Sequence, residues 1–165
     1  MAYDFSQVKL LVVDDVQPML ALTVNILKRF GFQDVDGAKN VEEASKLFLK
    51  HNHDLVLTDW FMEPYDGLEL VDRIRKADTA DKFVPIILMT GYADRLRVEM
   101  ARDSGVTEFL IKPFTVKDLY ARIVQVIEKP RPYIESERFF GPDRRRKKID
   151  LYKGSDRRAP ATEDQ

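Results

Sequence analysis

The stretch K-L-L-V-V-D-D-V, residues 9–16, decides how the rest of the chain is read. Four consecutive apolar residues have no polar partner face, so a strand made from them is covered on both sides. The run then stops at two adjacent carboxylates, Asp14 and Asp15. Like charges at the end of a doubly buried strand cost free energy unless something there uses them.

The same grammar recurs along the chain. A strand over 8–13 precedes a helix over 17–30, with Pro18 in its first turn, Leu20, Val24 and Leu27 on one face, and Gly31 at its end. A weak run, F-Q-D-V (32–35), is the next strand candidate, and Asn40 with Glu43 reads as the capped start of a second helix. L-V-L-T (55–58) ends at Asp59, and Asp66-Gly67 opens a helix to about Lys76. P-I-I-L-M (85–89) ends at Thr90-Gly91, and a helix over 94–104 stops at Gly105. E-F-L-I (108–111) ends at Lys112-Pro113, and Thr115 with Asp118 caps a fifth helix to 127. Five strands alternating with five helices predict an α/β fold, an open, doubly wound parallel sheet with helices on both faces. Such sheets bind ligands at the carboxyl ends of their strands.

Those ends carry complementary chemistry: Asp14 and Asp15, then Asp59, Thr90 and Lys112. Crowded carboxylates take up a proton or recruit a cation. An all-oxygen set with an open position suits Mg²⁺ beside a phosphate. A carboxylate attacks phosphorus to give an acyl phosphate, while a cation, an ammonium and a hydroxyl position the phosphoryl oxygens. Gly91 leaves room beside Thr90 for the backbone to approach. The array reads as a site that accepts a phosphoryl group on Asp59.

V-V-D-D (12–15), L-T-D-W (57–60), Asp66-Gly67, L-M-T-G (88–91) and I-K-P-F (111–114), in this order, resemble the receiver domains of two-component response regulators. The resemblance covers about residues 6–129 and implies strand order 2-1-3-4-5, as in flavodoxin. It implies Asp59 as phosphoacceptor, and Asp14 and Asp15 as Mg²⁺-site acids, with the backbone carbonyl of Phe61 as a further ligand. Thr90 and Lys112 contact the phosphoryl group. The bond before Pro113 is expected to be cis, and Phe109 to be an aromatic switch residue alongside Thr90. The residues alone leave Phe109 open between ordinary core and mobile switch. Two departures stand out. Pro64 lies one place later than usual, with the spacing to Asp66-Gly67 kept. Phe61 and Tyr92 occupy the positions that tune hydrolysis, where bulky rings shield an acyl phosphate. Trp60, the sole tryptophan, is expected to be partly buried beside the site. His51 and His53 read as a partner of a helix C-terminus and a loop residue, rather than metal ligands.

Charge divides the chain. Residues 1–129 carry 17 Lys/Arg against 21 Asp/Glu, and residues 130–165 carry 10 against 7. K-P-R-P-Y (129–133) reads as an extended linker into a basic tail over 130–165. Within the tail, F-F-G-P-D-R-R (139–145) returns as Y-K-G-S-D-R-R (152–158). The tail reads as a solvated segment, as a protein-docking segment that folds back or pairs two chains as a homodimer, or as a nucleic-acid contact. No helix-turn-helix pattern is present, so output is expected through protein–protein contact.

No cysteine is present, which excludes disulfides and thiolate metal sites. The N-terminal M-A-Y-D-F-S-Q lacks the pattern of a signal peptide, and no apolar run approaches the ~20 residues of a membrane span. The expectation is a cytoplasmic switch that takes its phosphoryl group from a sensor histidine kinase or a phosphotransfer protein. Its rival, an aspartyl-phosphate phosphatase or phosphotransferase, needs a second acid and a substrate-capping segment, and the sequence offers neither.

Overall fold

The structure is a computed structural model that describes residues 3–77, 80–91, 95–130, 133–135 and 140–142. Five strands form one parallel sheet: β1 (Lys9–Val13), β2 (Asp34–Ala38), β3 (Leu55–Asp59), β4 (Ile86–Thr90) and β5 (Glu108–Ile111). Their order is β2-β1-β3-β4-β5. The connecting helices are α1 (Gln17–Phe30), α2 (Val41–His51), α3 (Gly67–Arg75), α4 (Arg95–Asp103) and α5 (Val116–Glu128), with a 3₁₀ turn at Ala80–Phe83. This is the doubly wound fold expected from the alternation, in the expected strand order.

Side-chain alternation splits the core into two layers. Leu11 and Val13 of β1, Val56 of β3, and Ile86 and Leu88 of β4 pack with Phe48, Leu70, Val71, Ile74 and Ala101 from α2, α3 and α4. Leu10, Val12, Leu57, Ile87 and Met89 face the other way, against Leu27 of α1 and Leu119, Ile123 and Val126 of α5. Consecutive apolar residues in β1, β3 and β4 are therefore needed, because each strand feeds both layers.

Local signals set the ends. Gly31 closes α1 at φ 107°, a left-handed backbone that Gly adopts without a Cβ penalty. The Asn40 side chain accepts from Glu43 N–H at 2.8 Å. Thr115 and Asp118 form a reciprocal capping box. The bond between Lys112 and Pro113 is cis, as the resemblance implied, and that between Glu63 and Pro64 is cis as well.

Two expectations shift. The second strand runs from Asp34 to Ala38 and not over 32–35. Phe32 instead belongs to the α1 cap, its N–H donating to Leu27 O, and its buried ring stacks on Phe5 at 4.4 Å. Trp60 is 2% exposed, so it is core and not partly buried packing. His53 is a loop residue after α2, as read, and it is buried.

Past α5 the chain forms a small antiparallel hairpin, β6 (Tyr133–Glu135) with β7 (Phe140–Pro142), where only an extended linker and tail were expected. Tyr133 seats it on the base of the sheet, against Phe83 at 5.1 Å and over the Arg75 guanidinium at 5.3 Å. Arg75 is 5% exposed. It donates to the carbonyls of Gly105 (3.0 Å), Lys82 (2.7 Å) and Val84 (2.5 Å). The second copy of the tail pattern, and the first beyond Pro142, lie outside the described residues.

Candidate functional site

β1, β3, β4 and β5 end on one rim because parallel strands in register finish together. Val13 pairs with Thr58, Asp59 with Met89, and Thr90 with Ile111. The residue after each pairing, or the last of the strand, is the polar group singled out in the sequence.

Asp14 is 1% exposed. Its N–H extends the ladder to Ala38 O at 3.0 Å, and its Oδ1 accepts from Val16 N–H at 3.0 Å. Oδ2 is thereby left facing the Lys112 ammonium at 3.4 Å. The same ammonium lies 3.2 Å from Asp59 Oδ1, which also accepts from the Trp60 N–H at 3.1 Å. Asp15 is exposed, yet a carboxylate oxygen from each of Asp14, Asp15 and Asp59 lies within 4.8 Å of the others. Thr90 is buried beside them, and its carbonyl accepts from Lys112 N–H at 2.8 Å. The side chains of Asp14, Asp15, Asp59 and Lys112 thus meet at one place, and Thr90 adjoins them through its backbone.

One ammonium faces three carboxylates. Burial pushes the Asp59 carboxyl above its ordinary range, and the charge of Asp14 adds to this, while Lys112 pulls it back. A bound cation removes the excess. The donors are all oxygens and the outermost acid is open to solvent, which fits a hard ion such as Mg²⁺.

Two features were not legible in advance. A Cβ on Gly67 would run into the Asp59 carbonyl oxygen, and Gly67 N–H donates to Trp60 O at 2.7 Å. Gly67 therefore lets α3 start directly against the backbone of β3, with Asp66 as the side-chain cap of that helix. The Asp66-Gly67 pair signalled a helix start, but not that approach. The second is the packing of Phe61, whose position the sequence had singled out but whose contacts it had not: the residue is 47% exposed, and its ring stacks on Trp60 at 5.4 Å and lies under the Arg97 guanidinium at 5.6 Å. Tyr92, its expected companion, lies outside the described residues. Phe109 is partly buried against the α2–α3–α4 layer. A Cβ on Gly91 meets nothing within 4 Å, so the space beside Thr90 is open.

Known proteins share this arrangement. The family described as "Response regulator receiver domain" matches residues 10–124. The chain is 32% identical over 121 residues to chemotaxis protein CheY-3 of Vibrio cholerae, covering 73% of this chain and 92% of that protein. It is 38% identical over 120 residues to chemotaxis protein CheY1 of Helicobacter pylori, covering 72% and 96%. Among solved structures, Vibrio cholerae CheY4 superposes with a TM-score of 0.68 at 27% identity, covering 72% of this chain and 98% of that one. A two-component response regulator from Clostridium difficile gives 0.68 at 27% identity, covering 74% and 98%. No helix among the described residues is long and apolar enough to cross a membrane. With the family's motifs meeting at one rim of the family's fold, the chain belongs to the response regulator receiver domains, the phosphorylation-dependent switches of two-component signalling.

Proposed function

We propose that Asp59 is the phosphoacceptor of this chain. The single observation that carries the reading is the Lys112 ammonium held between Asp59 and Asp14, at 3.2 and 3.4 Å, by three different strand ends. An Asp59 carboxylate oxygen attacks phosphorus of a phosphohistidine on a kinase or phosphotransfer partner. The new O–P bond forms as the P–N bond breaks, and the imidazole leaves with the partner. Lys112 holds Asp59 in place and faces the incoming anion, and Thr90 supplies a hydroxyl at the next strand end. Asp14, Asp15, Asp59 and the Phe61 carbonyl would hold Mg²⁺, whose charge offsets that of the carboxylates and of the transferred group.

The chain acts as a switch and not as an enzyme on a separate substrate. A dianion on Asp59 biases a two-state equilibrium through Thr90 and Phe109, for which a few kcal/mol suffice. The output face is α4–β5–α5, where Met100, Ile111 and Val116 are large, apolar and about half exposed. A groove lined by Ile111, Pro113, Ala121 and Arg122 runs along it. Its partner there is a protein, and its setting is the cytoplasm, where the kinase presents its phosphohistidine.

Incubation with acetyl phosphate and Mg²⁺ should add one phosphoryl mass per chain and change the emission of Trp60, whose backbone touches Asp59. Asp59→Asn should take up none. Labelling that survives in Asp59→Asn overturns the assignment. The Phe61 ring shields the product from water, so Phe61→Asn should shorten the phosphorylated lifetime several-fold. A decay rate no faster than wild type removes that role.

A further inference from the structure

A second cluster sits at the β2 edge of the sheet. Asp36 lies in the middle of edge strand β2, His51 ends α2, and His53 leads into β3. Asp36 Oδ2 is 2.6 Å from His51 Nδ1 and 2.8 Å from His53 Nε2. One oxygen therefore receives two imidazole nitrogens from different directions. Side-chain exposure grades from 36% for His51 through 24% for Asp36 to 1% for His53, so the cluster opens to solvent on one side. Phe48 stacks on the buried His53 ring at 6.1 Å and holds its Nε2 toward Asp36. His53 Nδ1 is buried with no hydrogen-bond partner among the described residues, so Nε2 carries the ring's only polar connection.

We propose that Asp36, His51 and His53 form a binding site for a borderline divalent transition-metal ion, Zn²⁺ being the natural occupant, separate from the all-oxygen rim. Two imidazole nitrogens and one carboxylate with a solvent-facing fourth position are a donor set for such ions, whereas Mg²⁺ prefers oxygen alone. The three ligating atoms already lie within 4.8 Å of one another. Around a tetrahedral ion with bonds of about 2.0–2.1 Å, ligand atoms stand about 3.3 Å apart. The two O···N distances, 2.6 and 2.8 Å, each have to open by less than about 1 Å, and His51, the most exposed member and at a helix end, supplies that movement. Binding through Nε2 puts the His53 ring proton on its unpartnered Nδ1. The site is thus weaker than a zinc centre whose outer hydrogen bonds are complete. Protons compete for both imidazoles, so uptake declines as pH falls. Burial raises the Asp36 carboxyl, but the hydrogen bonds and charges of the two histidines outweigh it and hold Asp36 below its ordinary range, ready as an anionic ligand. The ion would pin the polar edge strand to the end of α2. Asp36 is level with Leu11 and, through it, with Val56, three residues or about 10 Å along β3 from Asp59, and β1 lies between them.

The chain contains only these two histidines, so imidazole NMR signals report the site without ambiguity. Chelator-treated full chain, in excess Mg²⁺ to occupy the rim, is titrated with Zn²⁺ and followed by those signals and by equilibrium dialysis. One Zn²⁺ per chain should bind and move both rings. Asp36→Asn and His51→Ala, checked for intact fold by circular dichroism, should each weaken binding by at least ~10-fold, and Asp59→Asn should leave it unchanged. Ring signals that stay put at one equivalent, or uptake unaffected by both Asp36→Asn and His51→Ala, overturn the proposal and leave a hydrogen-bonded cluster only.

Discussion

The two ends of the sheet handle buried charge in opposite ways. At the rim, Asp14, Asp15 and Asp59 outnumber the one ammonium of Lys112, and Asp59 is held away from its ordinary ionisation. At the base, Arg75 is buried with no carboxylate within ion-pair distance among the described residues, yet three backbone carbonyls and the Tyr133 face surround it. A delocalised guanidinium with many donors is satisfied by neutral oxygens, because each carbonyl dipole answers one N–H. Crowded carboxylates have no such recourse. The base is therefore a closed clamp, whereas the rim stays short of positive charge and so is open to a cation. Stability is concentrated at one end and responsiveness at the other.

The largest effect should come from breaking the clamp. Arg75→Ala leaves the carbonyls of Gly105, Lys82 and Val84 unpaired in the interior and should cost about 3 kcal/mol or more in urea unfolding. A loss under about 1 kcal/mol would mean that water replaces the guanidinium easily. Next is the close approach behind the rim. Gly67→Ala forces β3 and α3 apart at the Asp59 carbonyl, so it should cost about 2 kcal/mol and slow acetyl phosphate labelling in the same protein. Normal stability and labelling would show that the backbone yields.

The rim itself should behave in reverse. The folded-state pKa of Asp59 is raised, so the native chain binds more protons there than the unfolded chain does. Stability then falls as pH rises from the unfolded carboxylate value through the raised folded one. Without divalent ions, Asp59→Asn should be more stable than wild type near neutral pH by roughly 1 kcal/mol. The gain should vanish below the ordinary carboxylate range, where both chains are neutral at this position. A gain that persists in acid would sink the electrostatic account. The smallest effect belongs to Tyr133→Phe. Its hydroxyl bonds Thr107 and Arg75, one buried hydrogen-bonding group worth about 0.5–1.5 kcal/mol.

The rim was readable because each of its strands announces itself locally. L-L-V-V, L-V-L-T, I-I-L-M and E-F-L-I are short apolar runs, and each ends at its polar residue. The base was not readable, because its contacts join residues distant in sequence. Arg75 reaches Thr107 across 32 positions, and Asp36 meets His51 and His53 only once β2 pairs with β1. β2 itself was misplaced, since in D-V-D-G-A only Ala38 is fully buried, and an edge strand needs no apolar run. Trp60 was taken as partly buried packing next to the site. Its backbone serves that site, with the N–H on Asp59, while its ring joins the α2–α3–α4 core layer. The hairpin at 133–142 carried no turn signal strong enough to separate it from a linker.

Pro142 pairs with Tyr133, and Tyr133 packs on Arg75 and Phe83, so β7 is tied to the base of the sheet and not to the rim that holds Asp59. A pull applied through β7 would therefore be borne by the Arg75 clamp and would leave the acidic rim unstrained.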